Sequence, residues 1–286
     1  MGYRAMRIIS VISAVHPAGA GFLDATADSV LSQELPENWQ LEWVLQEDGL
    51  GDAGVGNRVP HDDRVRFAVN GARLGASGTR NLALRRVRGE LVQNLDADDV
   101  LLAGALMHQI GVLERDPELH WAVSQADDLM PDGSRVAFPA DLPFGRVERG
   151  VVNTWAMQHG GNWPIHCAGL IFRTASLRAM GGWGGVPFDE DLVLFAALSE
   201  VSPGWFDETV RWLYRQHPNQ MVKSGSGYLW SEKIRGIALQ RVLAVRSVGL
   251  TLGAVTTGWE EEVQVGAVRK SPRPTLPGSL DRSSAQ

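Results

Sequence analysis

One cysteine, Cys167, stands among 286 residues. An internal disulfide is therefore excluded, and so is a zinc site built on thiolates. A reducing cytoplasm is the simplest setting for such a chain. Lysine is scarce and the cations form no stripe: 27 Lys and Arg stand against 33 Asp and Glu, a net charge of −6. A protein whose main partner is nucleic acid needs clustered cations against phosphate, so that class is set aside. Long apolar runs are missing as well. Residues 8–15 are too few to cross a bilayer and are cut by His16-Pro17. Nothing later reaches the roughly 18–20 apolar residues of a membrane helix. No sustained apolar core precedes a small-residue cleavage site, so no signal peptide is expected. The expectation is a soluble cytoplasmic protein without a transmembrane segment. Its excess of Arg over Lys, with abundant Ala, Gly and Val, suits a GC-rich bacterial genome.

What the chain does have is alternation of strand-like and helix-like segments. Residues 7–15 form a continuous β-rich apolar run, the pattern of a strand buried on both faces of a parallel sheet. Helical spacing follows over 22–33, through Phe22, Ala25, Val30 and Leu31, with Asp24 in the first turn. A second strand over 41–46 runs into Glu47-Asp48-Gly49, completing a βαβ unit. Residues 48–63, rich in Gly and Asp, read as loop. Strands are expected at 65–69, 91–95 and 121–124, with helices at 76–88 and 101–113. Beyond residue 130 the pattern loosens. A strand at 168–172, helices at 174–180 and 191–200, and a longer amphipathic helix at 230–248 stand out. This predicts an α/β fold with a Rossmann-like, mostly parallel sheet flanked by helices. Residues 1–125 would form a nucleotide-binding half and 126–225 an acceptor-binding half of one domain. A helical segment over 226–260 would follow, then a disordered tail over 261–286. The 228–248 helix is a candidate homodimer surface.

Acidic residues gather where such a fold binds ligands, beyond the carboxyl ends of parallel strands. Glu47-Asp48 closes one strand and Asp96-Ala97-Asp98-Asp99 another, so both are expected on one rim. Three carboxylates within four residues repel one another unless a counter-ion joins them. Mg²⁺ or Mn²⁺ prefers such oxygen ligands and commonly shares them with a substrate's phosphates. One of these Asp residues is also expected to cap the 101–113 helix.

Several short segments, in order, resemble the family 2 glycosyltransferases, inverting enzymes of the GT-A (nucleotide-diphospho-sugar transferase) fold. They are Ile9-Ser-Val-Ile-Ser-Ala-Val15, Ser29-Val-Leu-Ser-Gln33 and Val44-Leu-Gln-Glu-Asp-Gly49. Gly75-Ala-Ser-Gly-Thr-Arg-Asn-Leu-Ala83 and Gly89-Glu-Leu-Val-Gln-Asn-Leu-Asp-Ala-Asp-Asp99 continue the series. Met180-Gly-Gly-Trp183 and Glu190-Asp191 complete it. The likeness covers about residues 7–220. It departs at Ala14-Val15-His16-Pro17, where a Pro-Val-Tyr-Asn-like turn is usual, at Glu47 in place of Asp, and at Leu50 in place of Ser. These differences bear on the nucleobase contacts.

The resemblance implies roles. Ala14, His16, Glu47 and Asp48 would line the donor's nucleotide pocket, with Arg80 nearby and Asp96 facing the ribose. Asp98, the second Asp of the DxD motif, would hold the metal, with Asp99 and His217 as further metal candidates. Glu190 and Asp191 match the family's acidic pair near the acceptor, Asp191 being the candidate base. Among acceptor candidates are Trp163 and Trp183, since indoles stack on sugars, and His166, which with Cys167 precedes an apolar strand and is expected to be buried. Gly160-Gly161, Gly181-Gly182 and Gly184-Gly185 are candidate hinges, and 223–227 a candidate lid.

The implied activity is metal-dependent transfer of one sugar, with inversion, from a UDP-, GDP- or dTDP-sugar to a hydroxyl of a glycan intermediate or specialised metabolite. Processive synthases of the family carry transmembrane helices and a Gln-x-x-Arg-Trp motif, both missing from this sequence. A sugar-phosphate nucleotidyltransferase is a weaker alternative, because the turn after the first strand, His16-Pro17-Ala18-Gly19-Ala20-Gly21, holds no Lys or Arg. A non-catalytic nucleotide-sugar or glycan binder is the alternative of another class.

Overall fold

The computed structural model describes residues 6–218, 220, 223 and 225–255. The expected tail over 261–286 lies outside the described residues. Among the described residues, ten strands form one sheet in the order β3-β2-β1-β4-β9-β6-β10-β5, with β7 beside β6 and β8 beside β10. The strands are β1 (Arg7–Val15), β2 (Trp39–Glu47), β3 (Val65–Val69), β4 (Leu91–Asn94), β5 (Val100–Leu101), β6 (Trp121–Leu129), β7 (Arg135–Ala137), β8 (Gly145–Val147), β9 (Ile171–Arg173) and β10 (Gly204–Arg215). The helices are α1 (Leu23–Leu31), α2 (Gly75–Arg86), α3 (Ala105–Arg115), α4 (Val151–Gln158), α5 (Thr174–Ala179), α6 (Glu190–Val201) and α7 (Gly225–Val248).

The expected parallel arrangement holds through β3, β2, β1 and β4, and again between β6 and β10. Between these two blocks β9 is antiparallel to both β4 and β6. The alternating pattern of β1 accounts for its place. Ile9, Val11 and Val15 point into the core layer that holds α1 and α3, while Ile12 points into the layer of α2, α4, α5, α6 and α7. Both faces are apolar because both are covered.

Two features run against the sequence pattern. The helix expected at 101 starts only at Ala105, because Val100–Leu101 pairs as a strand with Leu213 and Trp212 of β10. Its N-cap is Gly104, in the left-handed region, and no aspartate caps it. Asp99 instead accepts a hydrogen bond from the Arg215 backbone N–H at 2.9 Å. The second feature is β10 itself, a twelve-residue strand. Its register against β6 shifts between Asp207 and Val210 and again between Val210 and Trp212. Such irregularities bend a strand, and this one ends beside the acidic loop.

That loop is held from below by α1. Thr26 Oγ1 donates to the carbonyls of Ala97 (2.9 Å) and Asp99 (2.8 Å). Ser29 Oγ accepts from the Leu101 N–H at 3.2 Å. Gln33 donates to the Leu102 carbonyl at 3.0 Å and accepts from the Leu106 N–H at 3.2 Å. Thr26, Ser29 and Gln33 thus satisfy backbone groups of the loop, which would otherwise carry a desolvation cost of about 1–3 kcal/mol each when buried.

Candidate active site

A cleft of about 390 Å³ opens at the carboxyl ends of the parallel strands. Asp96 and Asp98 lie on its wall, on the loop that leaves β4. Asp96, Asp98 and Asp99 each present an oxygen within 4.8 Å of the others. Asp99 is fully buried, and its Oδ2 has no hydrogen-bond partner. Burial first, then the charges of Asp98 and Asp96, push its carboxyl well above the usual range. Asp98 is also raised, by burial and then by Asp96, with His217 opposing the shift. A hard divalent cation fits this donor set: three clustered carboxylates, one with a buried oxygen lacking a partner.

The end of β10 completes this corner. His217 Nε2 lies 2.8 Å from Asp98 Oδ2, and its ring packs against Phe22 at 4.7 Å. Arg215 Nε donates to the Asp98 carbonyl at 2.6 Å, and its guanidinium sits 5.0 Å from the Phe22 ring. Asp98 and His217, both named by the resemblance as metal candidates, are thus in contact.

Arg80 joins the two acidic groups. It is 5% exposed and makes ion pairs with Asp96 and with Glu190. Burial alone would lower its pKa, but Asp96, Glu190 and Asp191 outweigh that and raise it. Glu190 and Asp191 open α6 in its first turn, where the helix dipole favours negative charge. Burial, reinforced by Glu190, pushes Asp191 up to about 7 despite the opposing charge of Arg80. Its Oδ1 accepts the Leu192 N–H at 2.7 Å. A carboxyl tuned near neutrality in a cleft is suited to proton transfer.

The remaining predicted residues divide. Ala14, His16 and Asp48 reach the wall. Asp48 already accepts the backbone N–H groups of Leu74 (2.6 Å) and Gly75 (3.1 Å), tying β2 to the start of α2. His16 Nδ1 accepts from the Ala18 N–H at 3.2 Å. Glu47 is placed off the wall: it is buried and accepts the Gly51 N–H at 3.1 Å. Trp163 and His166 line the cleft, and the Trp163 indole N–H donates to Asn153 Oδ1 at 3.0 Å. Burial depresses His166 to about 4, so its imidazole is neutral. Trp183 does not line the cleft. It is 2% exposed, with Phe172 edge-on at 6.5 Å, and Asn81 clamps its backbone N–H and carbonyl at 3.0 and 2.9 Å. The bulk of an indole is more favourably buried than left as a sugar platform.

Sequence reasoning passed over Phe138, Tyr214, Gln220, Asp189 and Arg235, all on the wall. Tyr214 stands three residues before the singled-out His217, so its aromatic character was a usable signal. Arg235 had none, lying on a helix that comes to the cleft only through tertiary packing.

The profile described as "Glycosyl transferase family 2" matches residues 10–165, more than half of the chain. The chain belongs to this family. An uncharacterized glycosyltransferase of Rickettsia felis is 23% identical to this family 2 chain over 251 residues, 82% of the chain but 40% of that protein. The chain therefore spans well under two thirds of this curated relative. The UDP-Glc:alpha-D-GlcNAc-diphosphoundecaprenol beta-1,3-glucosyltransferase WfgD of Escherichia coli is 32% identical over 91 residues, 32% of this chain and 35% of WfgD. Among solved structures, S. aureus TarS 1–349 in complex with UDP superposes with a TM-score of 0.60 at 15% identity, covering 85% of this chain and 66% of that one. At that identity the likeness establishes the GT-A fold. No helix among the described residues is long and apolar enough to cross a membrane.

Proposed function

We propose that this protein transfers a single sugar from a nucleotide-diphosphate sugar to a hydroxyl of a discrete acceptor, with inversion and with a divalent cation, Mn²⁺ or Mg²⁺. One observation carries the reading: the three clustered carboxylates and Asp191 belong to the same corner of the fold, linked through the buried Arg80. Asp98, Asp99 and His217 would hold the cation, which when bound neutralises charge on the leaving diphosphate. Asp96 and Asp48 would position the nucleoside, and Arg80 would keep Asp96 and Glu190 oriented. Asp191, near neutrality, would take the proton of the attacking hydroxyl. With a single base and no enzyme nucleophile required, one displacement inverts the anomeric carbon.

A UDP-sugar is the favoured donor. Its support is the name of the E. coli relative, which specifies UDP-Glc, and the UDP in the TarS complex. The same relative's name specifies a diphosphoundecaprenol-linked acceptor, and a GalNAc(5)-diNAcBac-PP-undecaprenol glucosyltransferase of Campylobacter jejuni is 33% identical over 88 residues. A lipid-linked glycan intermediate is accordingly the acceptor class to test first.

The test is a melting-temperature screen of UDP-, GDP- and dTDP-sugars with and without Mn²⁺, followed by assay of nucleotide release. Ligands of the folded state raise the melting temperature. A Mn²⁺-dependent shift with slow release of UDP is expected. Binding without any release under all conditions would instead favour a non-catalytic binder.

A further inference from the structure

Asp189 is the only non-glycine residue with a positive φ among those described, at 52°. Left-handed backbone at such a residue persists when its surroundings over-determine it. Here Asp189 is the N-cap of α6, yet its side chain makes no cap hydrogen bond. The carboxylate turns outward to α7 instead. Its Oδ2 accepts from Ser231 Oγ at 2.5 Å and pairs with Arg235 Nε at 3.5 Å. Arg235 Nε also donates to Ser231 Oγ at 3.1 Å.

The other arm of the same guanidinium reaches a different loop. Arg235 Nη1 donates to the Gly161 carbonyl at 3.1 Å and to Asn162 Oδ1 at 2.7 Å. Gly161 is itself in the left-handed region, at φ 80°. The two segments held in this way, 161–163 and 187–191, carry Trp163, Phe188, Glu190 and Asp191 on the wall of the cleft. Helix α7 does not need Arg235 in order to dock, because Ile234, Ala238 and Val242 are buried in the core beside α6. The planar fork of an arginine is suited to fixing two separate acceptors at once.

We propose that Arg235 is a positioning residue that staples the 161–163 loop to the Asp189 turn and thereby sets the geometry of the Glu190-Asp191 pair. For its enzymatic readout the inference rests on the transferase reading above; its structural readout does not. A loosened staple lets Asp189 relax from its left-handed conformation, and Asp191, two residues on, moves with it. Misplacement of a reacting group by about 1 Å can cost roughly a hundredfold in rate.

The experiment compares the full chain with Arg235→Ala, Arg235→Lys and Ser231→Ala by hydrogen–deuterium exchange and by hydrolysis of UDP-glucose with Mn²⁺. In Arg235→Ala the Val193 amide, bonded to the Asp189 carbonyl at 2.9 Å, and the Gly161 amide, bonded to the Ala156 carbonyl at 2.9 Å, should exchange about tenfold faster. The sheet should be unaffected. Turnover of UDP-glucose per folded molecule, with the folded fraction fixed by the unchanged exchange of the sheet amides, should fall roughly ten- to a hundredfold with KM for UDP-glucose unchanged. Arg235→Lys, with donors but no fork, should recover part of both effects, and Ser231→Ala should loosen only the Asp189 side. Unchanged exchange at both amides, or faster exchange spread evenly over the domain, would overturn the proposal. If the unmodified chain fails to hydrolyse UDP-glucose, the donor assignment is at fault, and the exchange data alone decide the staple.

Discussion

Asp98 and His217 are 119 residues apart in sequence, and their side chains meet at 2.8 Å between Oδ2 and Nε2. The contact is made because β10 pairs with β5 just beyond the acidic loop and carries its C-terminal turn under that loop. His217 Nδ1 has no hydrogen-bond partner, and the residue is 7% exposed. A buried imidazole against a carboxylate proposed to hold a metal would either join the coordination or orient that carboxylate.

Asp98→Ala should abolish the Mn²⁺-dependent part of UDP affinity in a calorimetric titration. His217→Ala should weaken Mn²⁺ binding by about 10- to 100-fold, the range seen when groups supporting metal ligands are removed. Equal affinities in both variants and the parent would show that the carboxylate trio does not hold the cation.

Asp191→Asn should keep UDP binding and lose transfer by roughly 10²- to 10⁴-fold, the range for a removed general base. Measured with a UDP-sugar and any accepted hydroxyl, parent-like turnover in this variant would assign the base elsewhere.

The pH dependence follows from the elevated Asp191. Burial and Glu190 hold it up to about 7, so turnover should fall as pH drops below 7 and the carboxylate takes up its proton. The same shift affects stability with a definite sign. A carboxyl raised in the folded state binds more protons there than in the unfolded chain, so its contribution to stability falls as pH rises from about 4 to about 7. Asp191→Asn should therefore raise the melting temperature more at pH 8 than at pH 5. An equal gain at both would mean that Asp191 titrates at an ordinary value.

Arg80→Gln should be destabilising by about 3–5 kcal/mol in equilibrium urea unfolding, because it leaves Glu190 and Asp96 without their buried cation. Arg80 and Glu190 are well buried, with side chains 6% and 10% exposed, whereas Asp96 at 28% is partly screened, so most of the cost falls on Glu190. A change below about 1 kcal/mol would place these carboxylates in a much wetter setting than the geometry indicates.

Gly169→Ala addresses the packing next to Ala168 and His166, which line the cleft. A Cβ at this position would lie 2.2 Å from the Trp212 ring. Trp212 is 1% exposed and packs edge-on to His166 at 4.8 Å, so the ring has little room to move. A loss of about 1–3 kcal/mol in the same unfolding measurement is expected for such overpacking.

Much of this architecture could be read before the chain was folded. The apolar run of β1, the strand–helix–strand unit that follows and the helices α2, α5 and α6 lie within a few residues of their expected places. Local periodicity and strand-end position carry that information in residues that are neighbours in sequence. The acidic trio was legible for the same reason: Asp96, Asp98 and Asp99 are consecutive in effect, and their mutual repulsion points to a counter-ion wherever the loop lies. The early start expected for α3 failed because Val100–Leu101 finds a strand partner more than a hundred residues away in β10.

What the sequence by itself determined, then, was the β-strand and helix order, the family and the cluster of carboxylates. Only the tertiary structure decided which of those groups share a wall. It placed Glu47 and Trp183 off the cleft, brought Arg80 between Asp96 and Glu190, and delivered Tyr214, His217 and Arg235 from distant segments. The physical reason is that periodicity registers which face of an element is buried, whereas a site is an intersection of several faces. Where elements meet depends on packing, on the shifted register of β10 and on ion pairs across 110 residues, such as Arg80 with Glu190.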